Sequence, residues 1–189
     1  MLACRSLIDL GATLTAEQQT AQYFRAVCEL DSHRFTINVV LDENLFRIGT
    51  AQPADNVMVA NLETLLMTKA ATLVSRCSEK DLYDLYWLVT KIDGVELGDL
   101  ITLGQRVDAG VDAEAMLLVI TGTQLLKNAC SFAVEQGQGI NKVFKVVNEF
   151  KDTLQKMLVD FLEGLPVPPL GKLVRKLRQI CKAVKVVAS

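Results

Sequence analysis

Five charged side chains whose types and spacing are suited to chemistry lie close together near the middle of the chain: Lys69, Arg76, Lys80, Asp81 and Asp84. Lys69 and Arg76 are seven residues apart, about two turns of a helix, so both can project from one helical face. Ser78 precedes Asp81 by three residues, which is the spacing of a capping box and predicts that a second helix begins near Glu79. Cations and carboxylates therefore concentrate at one helix-turn-helix corner, where they can bind a charged group or pair with each other.

Two amphipathic helices are predicted to position this corner. In the first helix, apolar residues recur near helical spacing on the stripe that the cations continue: Leu62, Leu65, Leu66 and Leu73. The second helix carries aromatic residues: Tyr83, Tyr86 and Trp87. Rings of this kind can stack on a nucleobase, but such clusters more often belong to a core, which is the interpretation we favour.

The segment from Lys69 to Leu85 resembles the nucleotidyltransferase AbiEii/AbiGii toxin family. Members of that family carry a Lys-to-Arg segment followed by Lys/Arg-Asp-x-x-Asp-Leu, and this chain has Lys69-x6-Arg76 followed by Lys80-Asp81-Leu82-Tyr83-Asp84-Leu85. The resemblance implies a toxin of a toxin–antitoxin or phage abortive-infection system with nucleotidyltransferase chemistry. It implies a nucleoside triphosphate and Mg²⁺ as cofactors, a cognate antitoxin as a protein partner, and RNA or tRNA as the acceptor.

The resemblance also implies roles at the corner: nucleotide binding for Lys69 and Arg76, catalysis for Asp81, and support from Lys80 and Asp84. Each role has a simpler alternative. Lys69 can be a lysine on a solvated helix face, with its aliphatic stem on apolar surface. Asp81 can be the residue that caps its own helix, and this is compatible with catalysis because the cap fixes the carboxylate. For Asp84 we favour an ion pair with Arg76 or Lys80.

Two motifs of the family do not occur in the 189 residues: a Gly-Gly/Ser-Thr helix start and an Asp-x-Asp strand that holds metal. Gly11-Ala12-Thr13-Leu14 is only superficially similar to the first motif. The chain begins just after these motifs, as a truncated or degenerate member would, so we expect it to be catalytically incomplete. We predict no metal ligands and no cofactor in this chain.

Asn38 stands at the position where nucleotidyltransferase folds often have a third catalytic carboxylate. An amide cannot act as a general base and does not supply the charge that a metal ion prefers. We therefore interpret Asn38 as a structural polar residue on a strand.

Composition limits the class of protein. A hydrophobic content of 50% excludes a disordered chain, and 189 residues suffice for one compact domain or two small ones. Five scattered cysteines, a single histidine and the lack of Cys-x-x-Cys argue against a zinc site and favour free thiols in a reducing cytoplasm. No apolar run approaches the length of a membrane span, so we expect a cytoplasmic protein.

The C-terminal segment differs in charge from the rest of the chain. From Leu165 onward there are six basic residues and no acidic residue, whereas the preceding part has 14 basic against 22 acidic residues. Apolar residues recur on one side of a helix predicted over 170–187: Leu173, Leu177, Ile180, Val184 and Val187. We expect this basic helix to dock on the acidic body, with an arm that binds RNA or an anionic membrane as the alternative.

The predicted fold class is α+β, with a small antiparallel β-hairpin remnant of a nucleotidyltransferase-like sheet followed by a predominantly helical bundle. The predicted elements are a helix over 2–10, a loop over 13–19, a hairpin of strands 20–30 and 33–41, a loop over 42–59 with one short strand at 56–60, and helices over 95–107, from 113, over 123–133 and over 141–162. The predicted domains are a partial nucleotidyltransferase-like portion (1–60), a helical portion with the charged corner (61–164) and the basic helix (165–189).

A non-enzymatic interaction module is the competing hypothesis. In this hypothesis the helical bundle and the basic tail bind a protein or nucleic-acid partner without chemistry. The sequence does not distinguish the two hypotheses and does not indicate an oligomeric state.

Overall fold

The computed structural model describes residues 2–41, 49, 51–54, 57–92, 94–136 and 139–172. The chain forms two compact units, residues 1–47 and 48–189. Most strand residues belong to the first unit and most helices to the second, so the predicted α+β class is confirmed. The predicted domain boundaries near residues 60 and 164 stay predictions. The docking expected of the basic helix (170–187) stays a prediction, because its apolar stripe from Leu173 to Val187 lies outside the described residues.

The first unit contains a short helix and a three-stranded antiparallel sheet. Its elements are α1 (Leu2–Asp9), β1 (Thr13–Gln19), β2 (Tyr23–Leu30) and β3 (His33–Val40), with the strand order β1-β2-β3. The predicted hairpin is confirmed as β2 and β3. In its turn Asp31 and Ser32 take positive φ angles of 49° and 66°, which match the twist of a tight hairpin.

The loop predicted over residues 13–19 is wrong, because this segment is strand β1. The segment is polar and lacks the apolar alternation of a half-buried strand, so its sequence resembles a loop. Its backbone pairs with β2 from Thr13 opposite Glu29 to Gln19 opposite Phe24. Backbone hydrogen bonds form this ladder, and a polar sequence suits a strand at the edge of the described sheet.

The second unit begins with a two-stranded antiparallel hairpin, β4 (Ala51–Ala54) and β5 (Val57–Ala60). The short strand predicted at 56–60 is confirmed as β5, but the loop predicted over residues 51–54 is wrong. The segment contains Pro53, and proline is uncommon in strands because it cannot donate to a ladder. Both strands of a two-stranded sheet are edges, however, and proline is tolerated at an edge.

The remainder of the second unit is mostly helical where it is described. Its helices are α2 (Leu62–Ser75), α3 (Glu79–Val89), α4 (Leu97–Gln105), α5 (Ala113–Gly122), a 3₁₀ helix (Lys127–Gln136) and α6 (Ile140–Leu162). The helices predicted over 95–107 and 141–162 are confirmed with small shifts at their ends. The predicted cap of α5 is also confirmed, since Asp112 Oδ1 accepts a hydrogen bond from the Ala115 N–H at 2.7 Å. No described helix combines the length and hydropathy that crossing a bilayer requires.

Helix α6 supplies the apolar face against which α3 and α5 pack. Its buried residues recur at intervals of three and four: Val143, Val147, Phe150, Leu154 and Leu158. Tyr86 of α3 meets Phe150 edge-on, with the ring centroids 5.7 Å apart. Tyr83 and Tyr86 are buried, as we favoured, whereas Trp87 is 36% exposed. This core holds α3 in place, and α2 packs in turn against α3, α4 and α5.

Helices α2 and α4 approach closely at Gly104. A β-carbon at this position would lie 2.7 Å from Val111 Cγ1 and 3.1 Å from Ala70 Cβ, and both neighbours are fully buried. A β-carbon at Gly98 in the same helix would meet only the Phe161 ring, at 3.9 Å. The short distance between the two helices therefore depends on residue 104 being glycine, which has no side chain.

We predict that Gly104→Ala lowers the free energy of unfolding by about 1–3 kcal/mol, because a methyl group has no room between Ala70 and Val111. Gly98→Ala is the matched control. It should leave this free energy unchanged or raise it by up to about 1 kcal/mol, since alanine favours a helix more than glycine does. Urea unfolding followed by circular dichroism measures both variants. Equal free energies of unfolding for Gly104→Ala and Gly98→Ala would contradict the close approach of α2 and α4 at Gly104.

Candidate functional site

The joint between α2 and α3 sets the geometry of the charged corner. The N–H groups of Arg76 and Cys77 donate to the Thr72 carbonyl at 3.1 and 2.9 Å and close the last turn of α2. Cys77 is fully buried and has a φ of 42°, in the left-handed region, so the chain turns sharply there. Ser78 then caps α3, because its Oγ accepts from the Asp81 N–H at 3.3 Å. The Asp81 carboxylate accepts from the Ser78 N–H in return, so the predicted capping box is confirmed.

Asp81 binds both cations of the α2 stripe. Arg76 donates to it through Nε, at 2.9 Å from Oδ2, and through Nη2, at 3.1 Å from Oδ1. Lys69 Nζ donates to Oδ1 at 3.1 Å, and the Ser78 hydroxyl donates to Oδ2 at 2.5 Å. The prediction that Lys69, Arg76 and Asp81 meet at one corner is therefore confirmed.

Lys69 extends this network to Asp84. Its Nζ lies 2.7 Å from Asp84 Oδ2, and Lys80 Nζ lies 2.9 Å from the same oxygen. The ion pair expected between Asp84 and Lys80 is confirmed, whereas the guanidinium of Arg76 pairs with Asp81. One ammonium group thus links the carboxylates of two residues that are nearly one helical turn apart.

The carboxylate at the centre of the corner is buried, and the cations around it reach solvent. Asp81 is 1% exposed at its side chain, whereas Lys69 is 21% and Arg76 is 66% exposed. Burial, the largest single influence, raises the pKa of the Asp81 carboxyl. Hydrogen bonds from Arg76, Ser78 and Lys69 together outweigh it and lower this pKa to about 2. Asp81 is therefore ionised at every physiological pH.

The arrangement leaves hydrogen-bond donors for a second anion. Lys69, Arg76 and Lys80 surround two carboxylates, so the corner has a formal charge of +1. Arg76 directs Nε and Nη2 to Asp81, and within the described part of the chain its Nη1 has no hydrogen-bond partner. Guanidinium and ammonium groups form strong, charge-assisted hydrogen bonds with phosphate oxygens. The corner can therefore bind a phosphate.

The corner lacks the ligands of a magnesium site. Mg²⁺ prefers oxygen ligands that include carboxylates, but the Asp81 oxygens accept from two cations and Asp84 pairs with two lysines. No cluster of three or more His, Cys, Asp or Glu suited to a metal occurs among the residues that the structure describes. The corner fits an anion, and it does not fit the Mg²⁺ that the family resemblance implies.

A cavity of about 590 Å³ opens beside the corner. Its lining combines aliphatic, aromatic and charged side chains: Leu65, Lys69, Tyr83, Asp84, Trp87, Leu88 and Lys91. Lys69 and Asp84 belong to both the corner and the cavity. Two depressions elsewhere, around Asp112 and Glu114, have no lysine or arginine in their lining. Of these three depressions among the described residues, the cavity beside Lys69 is therefore the best suited to an anionic ligand with an apolar part.

Sequence reasoning missed Leu88 and Lys91 as part of this cavity. They follow Asp84 at intervals of four and three residues, and this helical spacing is the signal that places them on the same face. The sequence directed attention to Asp81 and its neighbours because they carry the family motif, whereas the cavity wall extends beyond that motif.

The remaining candidates from the sequence have structural surroundings. Asn38 accepts a hydrogen bond from the Tyr23 hydroxyl at 2.9 Å on the exposed side of the sheet. Cys77 and Cys130 are buried, as expected for small apolar side chains. Burial raises the pKa of both thiols, so neither is activated as a nucleophile.

We predict that Asp81→Asn lowers the free energy of unfolding by about 2 kcal/mol at neutral pH. The carboxyl pKa falls from its ordinary 3.8 to about 2 on folding, so the ionised form stabilises the folded state. This stabilisation is complete above a pH of about 4 and is lost as the pH falls towards 2. Urea unfolding of the wild type and the variant at several pH values should show free energies that converge in acid.

Asp84→Asn is the matched control, because Asp84 also pairs with lysines but is 27% exposed. Surface ion pairs stabilise a protein by at most about 1 kcal/mol, so this variant should lose less stability than Asp81→Asn. An Asp81→Asn protein that is as stable as the wild type at neutral pH would contradict the stabilising role of the buried carboxylate.

The comparison with protein families returns one family over most of the chain. The model described as "Nucleotidyl transferase AbiEii toxin, Type IV TA system" matches residues 22–166, a range that includes the whole charged corner and the cavity. No curated protein and no solved structure matches the chain. Because the matched range is well over half of the chain, this protein belongs to the AbiEii nucleotidyl transferase toxin family of type IV toxin–antitoxin systems.

Proposed function

We propose that the charged corner holds the phosphates of a nucleoside triphosphate in a nucleotidyl transferase toxin. The observation that carries this proposal is the buried Asp81 carboxylate, which holds Lys69 and Arg76 side by side while both cations reach solvent. Cations fixed in this way are preorganised for an anion, because little side-chain freedom is lost when the anion binds. Lys80 adds a third, more exposed ammonium at the rim.

The chemistry of nucleotidyl transfer explains why such cations are useful. The hydroxyl of the acceptor attacks the α-phosphorus of the nucleotide, and pyrophosphate leaves. Negative charge accumulates on the leaving group, so a guanidinium and an ammonium that bind its oxygens stabilise the transition state. We assign Lys69 and Arg76 to this role.

Asp81 acts in this proposal as a positioning residue. Its side chain is 1% exposed, and its oxygens already accept from Arg76, Lys69 and Ser78. A general base must reach the proton that it removes, and a carboxylate enclosed in this way does not reach an acceptor. The catalytic role predicted for Asp81 stays a prediction, and the geometry favours the orienting role. Asp84 supports the same arrangement through Lys69 and Lys80.

We also propose that the chain as given is catalytically incomplete. The 189 residues contain no Asp-x-Asp pair, and the carboxylates at the corner are committed to cations. Transfer needs carboxylates placed at the reacting phosphate, which the corner does not provide. The partners in this proposal are a cognate antitoxin, which the family's description as a type IV toxin–antitoxin system supports, and an RNA or tRNA acceptor. The acceptor and the cytoplasmic location are our own proposals from the sequence.

We predict that the protein binds inorganic triphosphate without added metal and that Lys69→Ala and Arg76→Ala each weaken this binding about tenfold or more. Each substitution removes charge-assisted hydrogen bonds, which contribute about 1.5–3 kcal/mol. Isothermal titration calorimetry at low salt measures the dissociation constants. Lys145→Ala is the matched control, because Lys145 is a half-exposed lysine that also pairs with a carboxylate, Glu149.

Asp81→Asn distinguishes positioning from simple charge. Removing the carboxylate raises the formal charge of the corner, so a site that needs only charge should bind triphosphate more tightly. A site that needs fixed cations should bind it more weakly, and we expect this weaker binding in protein shown by circular dichroism to be folded. Affinity that is unchanged in the Lys69 and Arg76 variants would instead favour the non-enzymatic interaction module, in which the ion pairs only join α2 to α3.

We predict no transfer of label from any of the four radiolabelled nucleoside triphosphates to RNA or protein by this chain in the presence of Mg²⁺. The physical reason is the lack of the carboxylate pair that would hold metal at the reacting phosphate. The measurement is the label retained on RNA or protein after gel electrophoresis. Strong transfer that Lys69→Ala abolishes would show that the catalytic carboxylates lie elsewhere in these residues.

A further inference from the structure

We propose that the cavity beside the charged corner is the base subsite of the bound nucleotide, with Trp87 as its stacking surface and Tyr83 and Lys91 as its polar contacts. This inference rests on the proposed function, because it takes the phosphates to lie at the corner. It adds residues outside the charged motif and names the part of the ligand that they recognise.

The cavity has the size and lining of a site for a planar ring with a charged substituent. Its volume of about 590 Å³ lies within the roughly 300–1,000 Å³ of typical small-molecule sites. The walls are two leucines and two aromatic residues, and the charged members are two lysines and one aspartate. A purely phosphate-binding site would not need such apolar walls, whereas a nucleobase is stabilised by them.

Lys69 connects the cavity to the corner. Its Nζ contacts Asp81 at 3.1 Å and Asp84 at 2.7 Å, and its side chain also lines the cavity. From Asp84 to Leu88 the lining extends over four residues of α3, or about 6 Å along its axis, and Lys91 lies just beyond the end of that helix and lengthens the wall. This length accommodates a nucleoside whose phosphates lie at the Lys69 end.

The charge of Asp84 sets the direction of the ligand. A carboxylate in the cavity wall repels phosphate, whereas Arg76 and Lys80 lie outside the cavity lining and are 66% and 60% exposed. Phosphates are therefore more stable on the side of Arg76 and Lys80. The uncharged base is then the part that enters the cavity.

Trp87 is held in position as a stacking surface. Its indole meets the ring of Tyr83 edge-on, with centroids 6.1 Å apart, and the ring of Tyr86 edge-on, with centroids 5.9 Å apart. Both tyrosines are buried and 5% exposed, whereas Trp87 is 36% exposed. A large ring fixed by a buried core and partly open to a cavity is suited to stack on a base, and stacking of this kind typically strengthens binding about tenfold.

Tyr83 provides an independent indication of a polar ligand group. It lines the cavity, and its buried hydroxyl has no hydrogen-bond partner within the described residues. Buried hydroxyl groups in native proteins are normally hydrogen-bonded, so an unpaired one requires an explanation. In this proposal a ring nitrogen or carbonyl of a base supplies that partner, which requires the hydroxyl to turn from its buried position towards the cavity. The Lys91 ammonium can donate to the base at the far end.

Trp87 is the single tryptophan of the chain, so its fluorescence reports directly on the cavity. Each of the four nucleoside triphosphates and, separately, inorganic triphosphate is titrated into the full chain, with fluorescence and calorimetry as the two measurements. We expect at least one nucleoside triphosphate to quench the fluorescence and to bind about tenfold more tightly than inorganic triphosphate. Inorganic triphosphate should bind without quenching.

Two substitutions then test the residues. Tyr83→Phe keeps the ring and removes only the hydroxyl, so we expect affinity for that nucleoside triphosphate to fall about fivefold while affinity for inorganic triphosphate stays the same. Its melting temperature should not fall, because the hydroxyl has no protein partner to lose among the described residues. Trp87→Leu should weaken nucleotide binding about tenfold in calorimetry. Tyr23→Phe, which removes a hydroxyl bonded to Asn38, is the matched control and should change neither affinity.

The failures of the two proposals are distinguishable. Equal affinity for inorganic and nucleoside triphosphates, without quenching and without an effect of Tyr83→Phe or Trp87→Leu, would overturn the base subsite and leave the phosphate site intact. Nucleotide binding that quenches Trp87 but does not change in Lys69→Ala or Arg76→Ala would support the cavity and overturn the phosphate assignment. No binding of either compound would overturn both.

Discussion

The structure of the candidate site depends on one buried carboxylate. Asp81 lies at the start of α3, yet its oxygens bind Lys69 in the middle of α2 and Arg76 at the C-cap of α2, so a single side chain joins the two helices. The same carboxylate completes the capping box with Ser78 and thereby begins its own helix. Local helix formation and the packing of two helices are therefore coupled through the same atoms.

A buried carboxylate paired with cations is not required to stabilise the packing of two helices. Burying an ion pair carries a desolvation cost that its attraction often only balances, and apolar side chains of similar size can stabilise a core equally well. The helices here already have an apolar interface, since Leu73 and Leu82 are fully buried. The carboxylate adds what leucines cannot, which is a defined direction for an ammonium and a guanidinium that reach solvent. This is a physical reason to interpret the network as part of a binding site as well as a structural contact.

The parts of the structure that the sequence predicted are those that short-range spacing determines. Lys69, Arg76, Ser78 and Asp81 converge because helical geometry and one cap position them within a short segment. Strand β1 was missed because its pairing with β2 depends on backbone groups that a polar sequence does not reveal. The cavity was missed because its wall combines Leu65 of one helix with Lys91 beyond the end of another. The packing of α2 against α3 brings Leu65 to this wall, and the spacing of residues within either helix does not encode that contact.

The left-handed turn at Cys77 has a consequence for how the site meets its ligand. A residue with a β-carbon adopts this conformation only when its surroundings enforce it, and Cys77 is fully buried. The buried surroundings of Cys77 therefore restrain the turn, and we expect the angle between α2 and α3 to change little when a ligand binds. If the corner is a binding site, we then expect its selectivity to come from shape and charge that exist before the encounter, with electrostatic steering contributing to the association rate.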